Sequence, residues 1–293
     1  VYFDETGLND TLRVRVVSPS AEGSVDLGDH LTVRAGYTAD VVSGATVKVV
    51  DVSTSATEFS DARHSFTGGL TARRDTLSIG GSYTYGFEND YRSHSITVTA
   101  RTEIAERNSI FELAYSHNWD GVCNEPNRDV QDAARRIALD SSTGCFAEGN
   151  ASRIESPLSV DSVQLSYTQN LSAILVTQLV ATAQLMHGFQ SNPYRSVLSS
   201  FIAQEHHPED RARLALAGRV NLFLPPVRGA LRVLVRGYRD TWDVRSMTLE
   251  GAYEQTLGPA LRLMGRVRYY RQNAAVFYSD DYGLSPQGQY FTG

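Results

Sequence analysis

Apolar and polar residues alternate with period two along nearly the whole chain. Leu12-Arg13-Val14-Arg15-Val16 places apolar residues on even numbers and charges on odd ones. Leu77, Ile79, Gly81, Tyr83, Tyr85 and Phe87 share one face, and Thr76, Ser78, Ser82 and Thr84 the other. The same alternation runs through Ile96-Val98-Ala100, Val163-Leu165-Tyr167, Leu231-Val233-Val235 and Leu261-Leu263 with Val267-Tyr269. Period two is the signature of half-buried strands, and helical spacing is almost absent, so the pattern predicts an all-β protein. About twelve strands are expected, near 12–25, 31–42, 63–72, 76–87, 92–104, 109–119, 158–169, 174–188, 211–224, 229–242, 244–256 and 261–273.

The connections are of two kinds that take turns. Tight polar turns fall at 27–29, 73–75, 106–108, 170–172, 225–227 and 258–260, and longer segments at 43–62, 88–92, 120–157 and 190–210. Short turns at one end and long loops at the other are the pattern of an antiparallel transmembrane β-barrel, with turns in the periplasm and loops outside. A soluble β-sandwich also alternates, but gives no reason for one end to hold the short turns. Nor does it explain aromatic residues near strand ends. Tyr37, Tyr83, Tyr85, Phe87, Tyr115, Trp119, Tyr167, Phe189, Tyr238, Trp242, Tyr253, Tyr269 and Tyr270 are placed beside the long loops. Tyr37, Tyr83, Tyr85, Tyr115, Trp119, Tyr238, Trp242 and Tyr269 are the candidates for an aromatic girdle at a membrane interface.

A barrel read this way is a single domain, 1–293, expected to be incomplete at both ends. If tight turns are periplasmic, the first full strand runs inward, so Val1 to Asp4 is expected to end an earlier strand. The complete protein is then expected to have fourteen or more strands. The segment 120–157 is expected to be a long extracellular loop. Within it Val130, Ala133, Ala134 and Ile137 have the spacing of a short amphipathic helix, and Cys123 and Cys145 are expected to form a disulfide. A closed loop of roughly 20 residues is stabilised by about 3 kcal/mol through such a bridge.

Composition alters this picture in three ways. No apolar run is long enough for a transmembrane helix, which leaves strands as the membrane-crossing element. The net charge of -6 argues against nucleic acid as a partner. Lys48 is the single lysine among 27 basic residues, so the cationic chemistry is that of guanidinium forks. Arg13, Arg15, Arg34, Arg213, Arg219, Arg232, Arg236, Arg262, Arg266 and Arg268 fall on polar faces and are candidate lumen-lining residues. Glu112, Asp161, Asp240 and Glu250 are their candidate partners. Such a set either fills a narrow interior with ion pairs or makes an electropositive pore that favours anions. Glu205-His206-His207 fits no standard metal spacing, and adjacent imidazoles on an extended chain point apart. No nucleophile elbow, phosphate loop or metalloprotease helix is present, so neither catalysis nor a cofactor is expected.

Several strings resemble the bacterial outer-membrane family catalogued as domain of unknown function 3570. Asp40-Val41-Val42-Ser43-Gly44-Ala45 is similar to its "DxVSGAS" segment, and Glu88-Asn89-Asp90-Tyr91-Arg92-Ser93 to its "ENDYxS" connection. Gln190-Ser191-Asn192-Pro193-Tyr194-Arg195 resembles "SxPYR", and Gly237-Tyr238-Arg239-Asp240-Thr241-Trp242 resembles "YRDxW". The run Arg268 to Tyr278 is similar to "RYYxQSAADFY". Together these span most of the chain, in order. The resemblance implies an outer-membrane barrel of a Gram-negative bacterium, in contact with membrane lipid and lipopolysaccharide. It also implies an association with lipoproteins or redox proteins of the envelope. Two roles follow: a porin-like channel for small solutes, or a scaffold for a lipoprotein, a filament or an electron-transfer partner at the cell surface.

Overall fold

The computed structural model describes residues 2–6, 13–47, 56–88, 91–124, 154–192, 196–198, 202–259, 261–279 and 288–292. Fourteen strands form one antiparallel sheet in which sequence neighbours are mostly spatial neighbours. They begin with β1 (Tyr2–Thr6), β2 (Arg13–Val17), β3 (Ser20–Leu27), β4 (Leu31–Val47) and β5 (Ala56–Arg74). There follow β6 (Leu77–Phe87), β7 (Tyr91–Ile104), β8 (Ser109–Asn124), β9 (Ile154–Ser172) and β10 (Leu175–Gly188). A separate small hairpin, β11 (Ser196–Leu198) and β12 (Ile202–Gln204), lies in the connection to β13 (Asp210–Leu224). The sheet ends with β14 (Gly229–Asp240), β15 (Arg245–Leu257) and β16 (Leu261–Gln272).

The expected meander is therefore present, with three refinements. The first strand is split at Ser18-Pro19, where proline cannot donate to a ladder. Its halves β2 and β3 both pair with β4. Segment 2–6 pairs with β2, as β1. Finally, β8 and β9 extend to Asn124 and Ile154, so the connection expected over 120–157 narrows to 125–153. The predicted helix and Cys145 lie outside the described residues. Cys123 belongs to the strand and is buried, 6% exposed. Among the described residues there is no α-helix, only a single 3-10 turn over Pro225–Val227.

Register explains why the alternation is so regular. Residues paired across an antiparallel ladder share a face, and one slip would invert a whole strand. Val33, Leu70, Gly81, Val98, Tyr115 and Val163 are successive partners across β4 to β9. The apolar face continues through Ala183 and Leu214, and then through the Val235–Leu249 and Gly251–Val267 pairs. Leu70, Leu165, Leu179, Leu216 and Leu263 are each at least half exposed, whereas Thr248 and Ser166 on the other face are 2% and 7% exposed. Apolar side chains outward and hydroxyls inward is the reverse of a water-soluble core. Each exposed leucine would cost about 1.5–3 kcal/mol in water relative to an apolar medium. Hydrocarbon removes that cost.

The tight turns use left-handed backbone where the chain must reverse within a few residues: Gly28, Asp75, Ala105 to Arg107, Arg228 and Gly258 all have positive φ. All lie at one end. The opposite end carries the long connections, but the 240–245 turn there is also tight. At that end Gly188 has φ 115° and a side chain there would run into the Pro157 carbonyl oxygen. Gly188→Ala is expected to cost about 1–3 kcal/mol in folded-state stability, read from denaturant unfolding in lipid. A stability within experimental error of the parent would contradict this placement.

The sheet is open. Every residue of β3 and β16 is exposed, and among the described residues nothing pairs with the outer edge of either. In hydrocarbon such edges must be paired, because each unsatisfied backbone group costs several kcal/mol.

Candidate functional site: the arginine wall and the capped end

The polar faces of β13 to β16 carry the strongest charge concentration in the sheet. The register puts Arg211, Arg213, Arg219, Arg232, Arg236, Arg262, Arg266 and Arg268 on this face, against the carboxylates of Asp240, Glu250 and Glu254. Glu254 joins two strands, accepting from Arg232 at 3.2 Å and lying 3.1 Å from Arg262. Glu250 lies 3.9 Å from Arg266. Toward β9 amides replace carboxylates. Arg213 donates to Gln184 at 3.0 Å and Arg219 to Gln178 at 3.4 Å, while those amides donate onward to Ser162, Ser166 and Thr168. Arg236 lies 5.6 Å from the Tyr238 ring. The wall is thus cross-linked but has more guanidinium than carboxylate.

Arg34 is on the same polar face, in β4, opposite Gly69. Glu112 is also on it, and pairs with Arg101 at 3.2 Å; Arg101 reaches Glu103 at 3.0 Å as well. The backbone register differs for Arg13 and Arg15: Val17 pairs with Val41 and Arg15 with Ser43, which gives both arginines the parity of the apolar face. Asp161 also belongs to the apolar face, where it accepts from Tyr115 at 2.6 Å and contacts His117 at 2.9 Å.

The aromatic residues sort into belts on the apolar face. At the long-loop end Tyr37 contacts His64 at 2.9 Å and Tyr83 contacts His94 at 2.6 Å. His94 stacks on Trp119 with 2° between planes and lies 4.8 Å from Tyr85. Tyr269 completes this belt, the Tyr115 hydroxyl reaches up to it through Asp161, and the belt therefore also uses histidine. Phe111, Tyr167 and Tyr253 lie at the other end, beside the short turns, which corrects the expected place of Tyr167 and Tyr253 beside the long loops. Two belts bounding an apolar band are what a bilayer's two interfaces require. Beyond the outer belt Tyr91 donates to Asp120 at 2.6 Å; burial, together with that carboxylate, pushes its hydroxyl pKa up and keeps it a donor.

Tyr238 and Trp242 correct the girdle. Tyr238 shares the polar face with Arg232 and Arg236, and its hydroxyl donates to Asp240 at 2.7 Å. Trp242 sits in the 240–245 turn, 7% exposed, with the Arg211 guanidinium 3.7 Å from its ring centre. Asp240 organises both. Its side chain is fully buried; one oxygen accepts from Arg211 Nε at 3.0 Å, the other from the backbone N–H groups of Trp242 and Val244 at 3.0 and 2.9 Å. Over this network pack His207 and Phe277, each 5.2 Å from Trp242 between ring centres. His206 forms a backbone bridge with Phe291, and the Glu205 carboxylate accepts from Thr292 at 2.6 Å. The two histidines thus secure a cap that joins segment 205–207 to Phe277 and to segment 288–292. Arg211 and Glu254 were absent from the expected set, although their strand parity with Arg213 and Glu250 marks them.

A depression of about 540 Å³ lies on the apolar face among Leu77, Ala100, Phe111, Leu165 and Leu179. Its apolar lining is that of a furrow for lipid chains, not of a substrate pocket.

A family model described as a protein of unknown function, DUF3570, matches residues 52–284. By sequence, no curated protein is similar to the chain. Among solved structures the chain is similar to the siderophore receptor PirA from Acinetobacter baumannii, with TM-score 0.53 and 10% identity, over 91% of this chain and 42% of that one. It is also similar to a mutant of the ferric enterobactin receptor PfeA from Pseudomonas aeruginosa, with TM-score 0.46 and 13% identity, over 88% of this chain and 43% of that one. The chain spans less than half the length of either. The likeness shows the fold, that of outer-membrane β-barrels.

Proposed function

As the chain belongs to the DUF3570 family and has the fold of an outer-membrane β-barrel, we propose that it forms a non-catalytic, porin-like conduit favouring small anions. One observation carries this reading: the eight-arginine wall of β13 to β16 against three carboxylates. A like-signed lining concentrates counter-ions and repels co-ions, which is how charged rings select in wide pores. The long loops are extracellular and the short turns periplasmic. The test is selectivity of the natural polypeptide in planar bilayers. Arg232→Glu together with Arg266→Glu is expected to shift the zero-current potential toward cation preference, with the shift shrinking at high salt. An unchanged potential in a conducting double variant would contradict the reading.

A second reading is supported by the cap. Trp242, Phe277 and His207 form an ordered platform at the long-loop end, on which a surface lipoprotein, a filament or an electron-transfer partner could dock. Absence of conductance, with a lipoprotein co-purifying and lost on Phe277→Ala, would favour that scaffold over the conduit.

A further inference from the structure

The apolar face changes character at one place on its long-loop rim. Along β14 the outward positions are Leu231, Val233, Val235, Gly237 and then Arg239; along β15, inward from the rim, they are Arg245, Met247 and Leu249; along β16 they are Leu261, Leu263, Gly265, Val267, Tyr269 and then Arg271. Arg239 pairs directly with Arg245, and Arg271 pairs with Met247, the next outward residue of β15. Three guanidiniums therefore occupy adjacent positions immediately beyond the apolar band, all exposed. On β4 to β8 the long-loop rim of this face carries Tyr37, Phe66, His94 and Trp119 instead.

Like charges directly opposite on a sheet repel, and the sheet offers little to offset them. Asp243 lies 2.7 Å from Arg245, with side chains 59% and 74% exposed. Among the described residues Arg239 and Arg271 carry no ion pair. Another acid on this face, Asp210, is bonded to His187 at 2.7 Å on the far side of β13. The cluster thus has a surplus of two cations, at the depth where lipid headgroups begin. Guanidinium forks bind phosphate bidentately, and their apolar stems lie along hydrocarbon while the heads reach outward.

We propose that Arg239, Arg245 and Arg271 bind the phosphate groups of lipopolysaccharide's lipid anchor. This rests on the reading that the apolar face meets lipid and the long loops face outward. Binding of diphosphoryl lipid A to the natural polypeptide in detergent, followed by native mass spectrometry, tests it. Arg239→Gln with Arg271→Gln is expected to weaken lipid A binding by about tenfold or more, the loss of charge-assisted bonds. Arg271→Gln alone is expected to show a smaller loss, and serves if the double variant does not fold. Dephosphorylated lipid A is expected to bind weakly and alike to all variants. Unchanged lipid A binding by folded rim variants would overturn the proposal, as would equal binding of dephosphorylated lipid. Inorganic phosphate binding as tightly as lipid A would make this a site for the free anion and overturn it too. The polar-face pair Arg262→Gln with Arg266→Gln is expected to have no effect. A loss of lipid A there would instead overturn the assignment of faces on which the conduit rests.

Discussion

Replacing Asp240 with alanine is expected to lower the stability of the folded barrel by about 3–5 kcal/mol, because it strands a buried arginine. The Asp240 side chain is fully buried and that of Arg211 is 14% exposed. The carboxylate meets the Arg211 guanidinium at 2.5 Å, accepts from the Tyr238 hydroxyl, and holds the backbone N–H groups of Trp242 and Val244. Alanine removes all of these acceptors at once. Asp240→Asn keeps one oxygen to accept from the turn and is expected to lose less. Equilibrium unfolding in lipid vesicles, followed by Trp fluorescence, reads both changes. A loss below about 1 kcal/mol for the alanine variant would mean that the network is not a load on this end of the sheet.

The second large effect separates the two faces with neighbouring residues. Val98 and Thr97 lie in the middle of β7, on the apolar and the polar face respectively. Val98→Arg is expected to cost about 2–4 kcal/mol, the penalty for arginine at the lipid midplane, whereas Thr97→Arg is expected to cost about 1 kcal/mol or less. Both are measured by unfolding in the same vesicles. Equal costs, or the reverse order, would contradict the lipid-facing assignment.

Much of the fold was legible in the sequence because one physical constraint acts on every strand. A band of apolar residues facing hydrocarbon forces period two, and the turns that close hairpins force left-handed residues such as Gly28 and Gly258. The limits of that legibility lie where the constraint stops. Arg13 and Arg15 alternate with valines, yet the register of β2 on β4 gives them the parity of the apolar face, so alternation alone does not report the face. The lengths of β8 and β9 beyond the membrane were hidden because the constraint stops there. Tyr238 and Asp161 were misplaced even though parity was available: Tyr238 shares its numbering parity with Arg236, and Asp161 with Val163 and Leu165. Residue type outweighed position in those two readings.

The candidate site divides similarly. Seven of the eight arginines of the wall, all but Arg211, were visible because each alternates with apolar or glycine neighbours on the opposite face. Of their partners Asp240 and Glu250 were visible too, but Glu254 was not, because it meets Arg232 and Arg262 only through the register of three strands. The environment of Trp242 depends on contacts with His207 and Phe277, far away in the chain, and no local pattern announces them. The extra guanidiniums of the rim, Arg239 and Arg271, share parity with the outward valines Val235 and Val267, so residue type alone does not reveal their face.

The claim at the centre of this account is that the polar face of β13 to β16 lines a water-filled passage. Leu234 lies on that face, between Arg232 and Arg236, and its neighbour Val235 lies on the apolar one. Leu234→Cys and Val235→Cys variants of the natural polypeptide would be reconstituted in planar bilayers and treated with a negatively charged, water-soluble thiol reagent. The account predicts steady conductance before treatment, a fall in current and in anion preference for Leu234→Cys, and no change beyond the parent's response for Val235→Cys. No conductance at all, or a response confined to Val235→Cys, would contradict it.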